Sequence, residues 1–261
     1  MIYAGCDLGT VAAKVVIVEN GSLLAHEMLA YKNLPKQAAA AAMENVLSRA
    51  NLSREKIEYC MATGFGKKVV PYANGNIPEI VCLNRAVRWL NPDVRTVIDV
   101  GGQSIRAFNI GINGRVTDSS INEKCAAGTG KFIEVMAKAL ELPLEELGDL
   151  PLQARAPVSI TSQCGVFAES EVITYVNEGK DRADIVAGIS RSVAGKTASL
   201  VRRISLDEPV TMVGGVAKNA SVVRDLEEEL GLKLVELDVD PQIVGALGAA
   251  LVASEKSRPS A

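Results

Sequence analysis

The sequence predicts an α/β fold with two lobes in which one pattern of strands and turns occurs twice. In each half, an apolar strand ends in an aspartate and a glycine turn, a second strand follows, and an Asn-Gly hairpin leads into a third strand. The repeated positions are Asp7 and Asp99 for the turns, and Asn20-Gly21 and Asn113-Gly114 for the hairpins. A third glycine turn, at residues 213–216, follows another apolar strand. An internal repeat of architecture, rather than of residues, therefore underlies the prediction of two lobes.

The individual elements follow from the period of the apolar residues and from the turn signals between them. The predicted strands lie at residues 2–7, 13–19, 22–29, 57–63, 96–100, 105–110, 115–119 and 209–213. The predicted helices lie at residues 34–50, 221–230 and 243–255, and two more begin near Phe132 and just after Cys164. We assign residues 1–95 and 241–261 to lobe I, and residues 96–240 to lobe II.

The composition is that of a globular chain of 261 residues, with 48% hydrophobic residues and a formal net charge of −3. This slightly acidic balance gives no basic surface for nucleic acid or for an anionic membrane. No segment is long and apolar enough to span a bilayer, and the N-terminus lacks the basic-then-apolar form of a signal peptide. The odd number of cysteines, 5, leads us to expect the reducing cytoplasm. A single histidine, His26, argues against histidine-based metal or triad chemistry.

Two of the cysteines, Cys125 and Cys164, each stand just before a predicted helix. A helix N-terminus has unpaired N–H groups and a partial positive charge, which favour a thiolate or an anionic cluster held by thiolates. Two cysteines do not complete the four-thiolate shell of an iron–sulfur cluster, but two copies of the chain do. The pattern thus indicates a homodimer with one shared cluster, and the alternative is that both are small core residues. For Cys6, Cys60 and Cys82, which lie in or beside apolar segments, the core interpretation is preferred.

The two aspartate-glycine turns have the residue types of phosphate sites. Glycine lets backbone N–H groups approach a phosphate closely, while the hydroxyl of Thr10 and the amine of Lys14 supply a donor and a charge. Carboxylates such as Asp7 and Asp99 suit hydrated Mg²⁺, which keeps several waters and contacts phosphate. One such turn is common in proteins, whereas two on duplicated hairpins, with a third glycine turn, indicate nucleotide binding. The alternative for each aspartate is a capping role in an ordinary turn.

The three glycine turns resemble the first phosphate, second phosphate and adenosine motifs of the acetate kinase, sugar kinase, Hsc70 and actin superfamily. The motifs read, in order, Asp7-Leu8-Gly9-Thr10, Asp99-Val100-Gly101-Gly102-Gln103 and Gly214-Gly215-Val216. The cysteine-bearing segments 124–130 and 164–171 resemble the activators of 2-hydroxyacyl-CoA dehydratases and the ATP-binding subunits of benzoyl-CoA reductase. The resemblance covers nearly the whole chain. It implies a two-lobed, ribonuclease H-like ATPase fold with duplicated subdomains, and we expect the nucleotide in the cleft between the lobes.

The same resemblance implies an ATP-driven electron donor that works as a homodimer with one [4Fe-4S] cluster, held by Cys125 and Cys164 of each subunit. The electron comes from ferredoxin or flavodoxin and passes to an iron–sulfur dehydratase or reductase, coupled to ATP hydrolysis. An alternative is the ATP-binding subunit of an aryl-CoA reductase, or of a reductase of another unusual iron–sulfur cluster protein. Relatives usually have Asp where this chain has Ser104, so that position offers no carboxylate here.

The matching positions give each site residue an expected role. Asp7 and Asp99 hold magnesium through water, and Asp99 and Gln103 are the expected catalytic residues that orient the attacking water. The expected nucleotide contacts are Asp7, Gly9, Thr10, Lys14, Gly101, Gly102, Gly128, Gly130, Lys131, Gly214, Gly215, Val216, Asn219 and Gln242. Because residues 128–131 follow Cys125 closely, they tie the nucleotide to the cluster through a short stretch of backbone. The alternatives are a polar turn residue for Gln103 and a simple helix start for residues 128–131.

Two other functions compete with the electron donor. A small-molecule kinase of the same superfamily needs a substrate-binding insertion that the sequence lacks, and it has no use for the two cysteines. A nucleotide-binding module without enzymatic activity, such as an actin-like filament protein, also leaves Cys125 and Cys164 unexplained. Brown, iron-containing protein after anaerobic purification favours the electron donor, and colourless, iron-free protein favours the other two.

Overall fold

The structure, a computed structural model, describes residues 1–123, 126–161 and 164–256. The chain divides into two compact units. The first unit comprises Met1–Asp93 and the segment from Leu237 onward, and the second comprises Val94–Glu236.

The described residues form nine strands and eight α-helices. The strands are β1 (Ile2–Leu8), β2 (Ala12–Glu19), β3 (Ser22–Ala30), β4 (Ile57–Thr63), β5 (Gly75–Asn76), β6 (Thr96–Val100), β7 (Ile105–Ile110), β8 (Val116–Asn122) and β9 (Val210–Val213). The helices are α1 (Pro35–Arg49), α2 (Glu79–Leu90), α3 (Gly130–Ala139), α4 (Glu146–Asp149), α5 (Gly165–Asn177), α6 (Arg182–Val201), α7 (Ala220–Leu230) and α8 (Val244–Lys256).

The first unit is built on a five-stranded sheet in the order β3-β2-β1-β4-β5. The first three strands are antiparallel, and β4 then pairs parallel to β1. Both β1 and β2 are almost fully buried, whereas β3 alternates between exposed and half-buried residues, as expected of an edge strand with one face towards the core. Apolar side chains of β1 pack with α1 in one core cluster, while Tyr3 and Met61 pack with α2 and α8 in another. Helices therefore cover both faces of this sheet.

The small residues of α8 let this helix approach the first sheet closely. A Cβ atom on Gly5 would lie 2.0 Å from the carbonyl oxygen of Ala246, and one on Gly248 would lie 1.8 Å from that of Cys82. Neither position has room for a side chain, so α8 packs directly against β1 and α2. The C-terminal helix is thereby fixed beside the strand that carries Asp7.

The second unit repeats the arrangement on a four-stranded sheet in the order β8-β7-β6-β9. Strands β6, β7 and β8 are antiparallel, and β9 pairs parallel to β6, just as β4 pairs to β1. The core of this unit joins Ile98 and Ile105 of the sheet to Met136 of α3, Ile185 of α6 and Leu226 of α7. The predicted internal repeat is confirmed.

All eight strands predicted from sequence are present, and β4, β6 and β7 have the predicted bounds. The predicted helix bounds and helix starts are confirmed within a few residues, but α2, α4, α6 and the short strand β5 were missing from the prediction. Helix α6 buries 13 of its 20 residues, including Gly188, Ser190 and Thr197, so it lacks the one-sided apolar pattern that reveals a surface helix. Among the described residues, no helix has both the length and the apolar character needed to cross a membrane.

Candidate functional site

The carboxylate of Asp7 lies at the C-terminal end of β1, directly opposite Lys14 on β2. The Nζ atom of Lys14 donates to Oδ2 of Asp7 at 2.9 Å. Asp7 is 9% exposed, and its other oxygen, Oδ1, has no hydrogen-bond partner among the described residues. A buried carboxylate oxygen without a partner is costly, so this atom is available for a cation or a bound water.

The carboxylate of Asp99 occupies the corresponding place in the second unit, at the end of β6 and directly opposite Arg106 on β7. One terminal nitrogen of Arg106 donates to Oδ2 of Asp99 at 2.9 Å, and the other donates to Oε1 of Glu123 at 2.9 Å. The side chain of Arg106 is 6% exposed, whereas that of Glu123 is 58% exposed. Arg106 thus links the buried carboxylate to a residue that stands two positions before Cys125 in the sequence.

A glycine with positive φ packs against each of these carboxylates. Gly64 follows β4 with φ +90°, and a Cβ atom there would lie 2.4 Å from Oδ1 of Asp7. Gly214 follows β9 with φ +89°, and a Cβ atom there would lie 2.8 Å from Oδ1 of Asp99 and 2.4 Å from the carbonyl oxygen of Val100. Both positions require glycine for the backbone conformation and for the close approach. Each unit therefore contains the same arrangement: an aspartate, a basic side chain that pairs with it, and a glycine of positive φ packed against its carboxylate.

The turn at Gly101 and Gly102 is bound to the beginning of α3. The N–H groups of Gly130 and Lys131 donate to the carbonyl oxygens of Gly101 and Gly102 at 2.9 and 2.8 Å. The hydroxyl of Thr129, which is fully buried, lies within hydrogen-bond distance of two carbonyl oxygens, that of Gly102 at 2.9 Å and that of Ala126 at 2.5 Å. The predicted phosphate turn is thus joined to the segment that begins after Cys125.

These bonds bear on the predicted roles of residues 128–131. The two N–H groups of Gly130 and Lys131 already have acceptors, and the Nζ atom of Lys131 pairs with Glu134 at 3.0 Å. Gly128, with φ +85°, packs against the side chain of Lys196 in α6. The contacts in place favour these residues as supports of the turn, and their predicted contact with phosphate stays a prediction.

The remaining predicted nucleotide contacts have diverse surroundings. The carbonyl oxygen of Gly9 accepts a hydrogen bond from the hydroxyl of Tyr31, and Thr10 is half-buried in the turn between β1 and β2. Gln103 is exposed. Asn219 caps α7, because its side chain accepts from the N–H of Val222 at 3.0 Å and donates to the carbonyl oxygen of Leu147 at 3.2 Å.

The third glycine turn and the start of α8 contain the other predicted contacts. Gly215 is exposed, and Val216 is buried in a short 3-10 helix, Gly215–Lys218, that separates the turn from α7. Gln242 lies half-buried just before α8 in the first unit. No ligand contact tests these positions, so their roles stay predictions.

The cysteines differ sharply in their surroundings. Cys6, Cys60 and Cys82 are buried, which confirms the core interpretation, and burial raises the pKa of the Cys6 and Cys82 thiols to about 12. Cys164 is exposed and is the N-cap residue of α5, as the sequence predicted. Cys125 lies outside the described residues. Within the described ranges, no group of three or more His, Cys, Asp or Glu side chains is arranged to hold a metal ion.

Four residues of this neighbourhood were not singled out by the sequence analysis: Gly64, Arg106, Glu123 and Glu171. Both oxygens of Glu171 accept from the N–H of Thr161 at 3.1 Å, which fixes the chain shortly before Cys164. The spacing of seven residues between Asp7 and Lys14 recurs between Asp99 and Arg106, and this signal was readable in the hairpins.

These residues fit the groups that the sequence predicts. The unpaired Oδ1 of Asp7 and the two glycine-bounded carboxylates suit hydrated Mg²⁺, which prefers carboxylate oxygens and water. The exposed Cys164 stands at a helix start, where the N–H groups and the helix dipole stabilise a thiolate ligand.

Comparisons with known proteins identify the family of the chain. A model of the BadF/BadG/BcrA/BcrD ATPase family matches residues 4–253. The 2-hydroxyisocaproyl-CoA dehydratase activator of Clostridioides difficile is 40% identical over 260 residues, which cover 100% of this chain and 97% of that protein. The (R)-2-hydroxyglutaryl-CoA dehydratase activating ATPase of Acidaminococcus fermentans is 39% identical over 256 residues, 97% of each chain.

The fold is also that of solved structures. The structure of the 2-hydroxyisocaproyl-CoA dehydratase activator with bound ADPNP matches with a TM-score of 0.93 and 40% identity, covering 100% of this chain and 99% of that one. A ROK family glucokinase from Streptomyces griseus matches with a TM-score of 0.57 at 12% identity, which concerns the fold alone. The predicted actin, Hsc70 and sugar-kinase type of fold is confirmed, and the chain belongs to the BadF/BadG/BcrA/BcrD ATPase family.

Proposed function

We propose that this chain hydrolyses ATP and donates electrons at low potential to an iron–sulfur dehydratase or reductase, through a [4Fe-4S] cluster that bridges a homodimer. The ATPase part is supported by the family, and the activator part by two relatives named for the activation of CoA dehydratases. The proposed ligands are Cys125 and Cys164 of each subunit, and the proposed electron donor is ferredoxin or flavodoxin. The partner most in keeping with the relatives is a 2-hydroxyacyl-CoA dehydratase.

The proposed coupling of ATP hydrolysis to electron transfer is supported by the hydrogen bonds between the phosphate turn and the start of α3. Three hydrogen bonds join the turn at Gly101 and Gly102 to residues 129–131, which lie four to six positions after Cys125. A turn that moves when phosphate binds therefore pulls on the start of α3 rather than on a free loop. Neither the activity of a small-molecule kinase nor that of a filament protein requires a link between the phosphate turn and a cysteine-bearing segment.

The aspartates have distinct proposed roles in ATP hydrolysis. Asp7 offers Oδ1 to hydrated magnesium while Lys14 fixes its other oxygen. Asp99 is oriented by Arg106 and, with the exposed Gln103, positions the attacking water. Positioning and electrostatic stabilisation supply most of the catalysis in phosphoryl transfer, so fixed carboxylates of this kind suit the reaction.

Cys164 has the surroundings that a cluster ligand needs. When bound, a [4Fe-4S] cluster accepts and releases single electrons without a change in its ligands. The thiol of Cys164 is exposed, and the chain before it is held by the contact of Thr161 with Glu171.

The test is the iron and sulfide content of cysteine variants purified without oxygen. We expect Cys125→Ser and Cys164→Ser to lose the iron and the brown colour because each removes a thiolate from the shared shell. Binding of ADP, measured by calorimetry, is expected to change little, since the phosphate turns lie elsewhere in the sequence.

The matched control is Cys82→Ala, which removes a buried thiol of the first unit and is expected to keep full iron. Full iron and sulfide in Cys125→Ser or Cys164→Ser would show that the ligand assignment is wrong. Release of inorganic phosphate from ATP with no added acceptor separates the proposed ATPase from a small-molecule kinase.

A further inference from the structure

Arg106 contacts a second carboxylate, that of Glu123, in addition to that of Asp99. It lies on β7, the middle strand of β8-β7-β6, with Asp99 of β6 on one side. On the other side, Glu123 stands one residue beyond the end of β8. The guanidinium donates to both carboxylates at 2.9 Å through different terminal nitrogens. A single side chain thus spans three strands, from the predicted catalytic aspartate to the segment that leads to Cys125.

The chemistry of arginine makes this contact a mechanical link. The guanidinium is planar and rigid, so a displacement of the carboxylate at one nitrogen tilts the whole group and displaces the carboxylate at the other. Because the side chains of Arg106 and Asp99 are 6% and 10% exposed, their ion pair is screened by water far less than a surface pair, whereas the pair with Glu123 is open to water at the glutamate. The side chain of Glu123 is 58% exposed, so it has room to move when the guanidinium of Arg106 tilts.

We infer that Arg106 and Glu123 are positioning residues that transmit the nucleotide state from Asp99 to the Cys125 segment. This inference rests on the proposed nucleotide site at Asp99, and it adds a side-chain route to the backbone link between residues 101–102 and α3. The two routes approach Cys125 from opposite sides of the sequence, Glu123 from before it and Thr129 from after it. Glu123, through Arg106, and Gly130, through its N–H group, are therefore both joined to the phosphate motif of the second unit, and they stand before and after Cys125 in the sequence.

The test uses the chemical reactivity of Cys125 in cluster-free protein, so it does not depend on activity of the loaded enzyme. The alkylation rate of Cys125 by N-ethylmaleimide is measured by peptide mass spectrometry with no nucleotide, with MgADP and with MgADPNP. For the unmodified chain we expect alkylation rates that differ several-fold between the nucleotide states, because a nucleotide that binds one conformation better shifts the population towards it.

Three variants separate a transmitting role from a merely structural one. Glu123→Gln removes the exposed charge and leaves the pair of Arg106 and Asp99 in place, so we expect normal ADP affinity and melting temperature, but a rate ratio clearly smaller than that of the unmodified chain, because only the backbone link remains. Glu123→Asp keeps a carboxylate and is expected to retain much of the ratio. Glu145→Gln, an exposed glutamate of the same unit, is the charge control and is expected to match the unmodified chain.

The ratio between nucleotide states is the decisive readout, because a structural defect changes all rates alike. A Glu123→Gln ratio equal to that of the unmodified chain would overturn the inference and leave the backbone link as the coupling route. A ratio of one in the unmodified chain would overturn it as well. Failure of the proposed function shows separately, as absence of iron from the unmodified protein purified without oxygen.

Discussion

The two units contain the same arrangement of aspartate, basic residue and glycine, but the basic residue and its further contacts differ. In the first, Asp7 pairs with Lys14, a compact ammonium on a flexible stem, and keeps Oδ1 without a hydrogen-bond partner among the described residues. In the second, Asp99 pairs with Arg106, whose planar fork continues to Glu123. The two copies of the repeated arrangement therefore differ in what their carboxylates contact. Asp7 has an oxygen available for a ligand, whereas Asp99 is linked through Arg106 to Glu123.

The residue that follows the third strand shows the same division. In the first unit Tyr31 follows β3 and donates its hydroxyl to the carbonyl oxygen of Gly9, so the turn is fixed from within its own hairpin. In the second unit Glu123 follows β8 and contacts Arg106, just before the cysteine segment. The cysteines are divided likewise: all three of the first unit are buried, while Cys164 of the second is exposed.

The thiols give the largest expected difference between the units. Burial raises the pKa of Cys6 and Cys82 from 9.0 to about 12, so near neutral pH each has about a thousandfold less thiolate than an ordinary thiol. In native, cluster-free protein we expect maleimide to label Cys164 rapidly and these two only after unfolding. Time-resolved peptide mass spectrometry checks this, with protein in urea as the control. Equal labelling rates in native protein would contradict the described burial.

The aspartates give the next largest effect. We expect both Asp7→Asn and Asp99→Asn to lower MgATP hydrolysis by about 100-fold or more, because each removes a carboxylate at the proposed metal and phosphate site. They differ in stability. Asp99→Asn leaves the buried Arg106 without its carboxylate and is expected to lower the free energy of unfolding by about 3 kcal/mol. Asp7→Asn is expected to cost less, because its Oδ1 is already without a partner.

Urea denaturation measures the stability difference, and phosphate release measures hydrolysis. Equal losses of stability in the two variants would mean that the free oxygen of Asp7 does not distinguish the units. Unchanged hydrolysis in either variant would remove that aspartate from the proposed site.

The glycines beside the carboxylates are predicted to be equivalent in the two units. Gly64→Ala and Gly214→Ala each combine a strained positive φ with backbone overlap at 2.5 and 2.4 Å, so we expect each to lower the free energy of unfolding by about 2–4 kcal/mol. Gly21→Ala has a similar φ of +87° but nothing within 4 Å, and is expected to cost about 1 kcal/mol. Urea denaturation of all three separates overlap from strain. A cost for Gly64→Ala no larger than that of Gly21→Ala would contradict the close approach.

The smallest effect concerns the attachment of α3 to the phosphate turn. Thr129→Val keeps the shape of the side chain and removes its hydroxyl, which lies within hydrogen-bond distance of the carbonyl oxygens of Gly102 and Ala126. We expect a loss of about 1 kcal/mol in the free energy of unfolding, together with a weaker effect of nucleotide on Cys125 reactivity. Thr197→Val, which removes a buried hydroxyl on α6, is the matched control for stability. An unchanged nucleotide effect would show that this hydroxyl plays no part in coupling.

The fold was largely predictable because its signals are local. Asn20-Gly21 and Asn113-Gly114 mark tight hairpins, and the strands between them have the β-branched, apolar character that strands need. Helix α6 was missed because burial on nearly all sides removes its amphipathic period, and α2 was not marked by any motif. For helices, an amphipathic period identifies those at the surface of a core better than those inside it.

The site was only partly predictable. Asp7, Asp99 and Cys164 stand next to glycine turns or helix starts, so their neighbours along the chain reveal them. Gly64 and Glu123 contact residues that are distant in sequence. The pairing of β4 with β1 brings Gly64 to Asp7, and the pairing of β8 with β7 brings Glu123 to Arg106. The contact of Arg106 with its second carboxylate partner, Glu123, depends on the adjacency of β6, β7 and β8, and no short sequence motif encodes that adjacency.

The most direct test of the central claim, that nucleotide binding acts on a cluster held by Cys125 and Cys164, is the EPR spectrum of the dithionite-reduced protein prepared without oxygen. Spectra are recorded with no nucleotide, with MgADP and with MgATP. The account predicts an iron–sulfur signal whose g values or line shape differ between the three states, because the phosphate turn is joined to α3. No iron signal, or three identical spectra from protein that binds nucleotide, would contradict it.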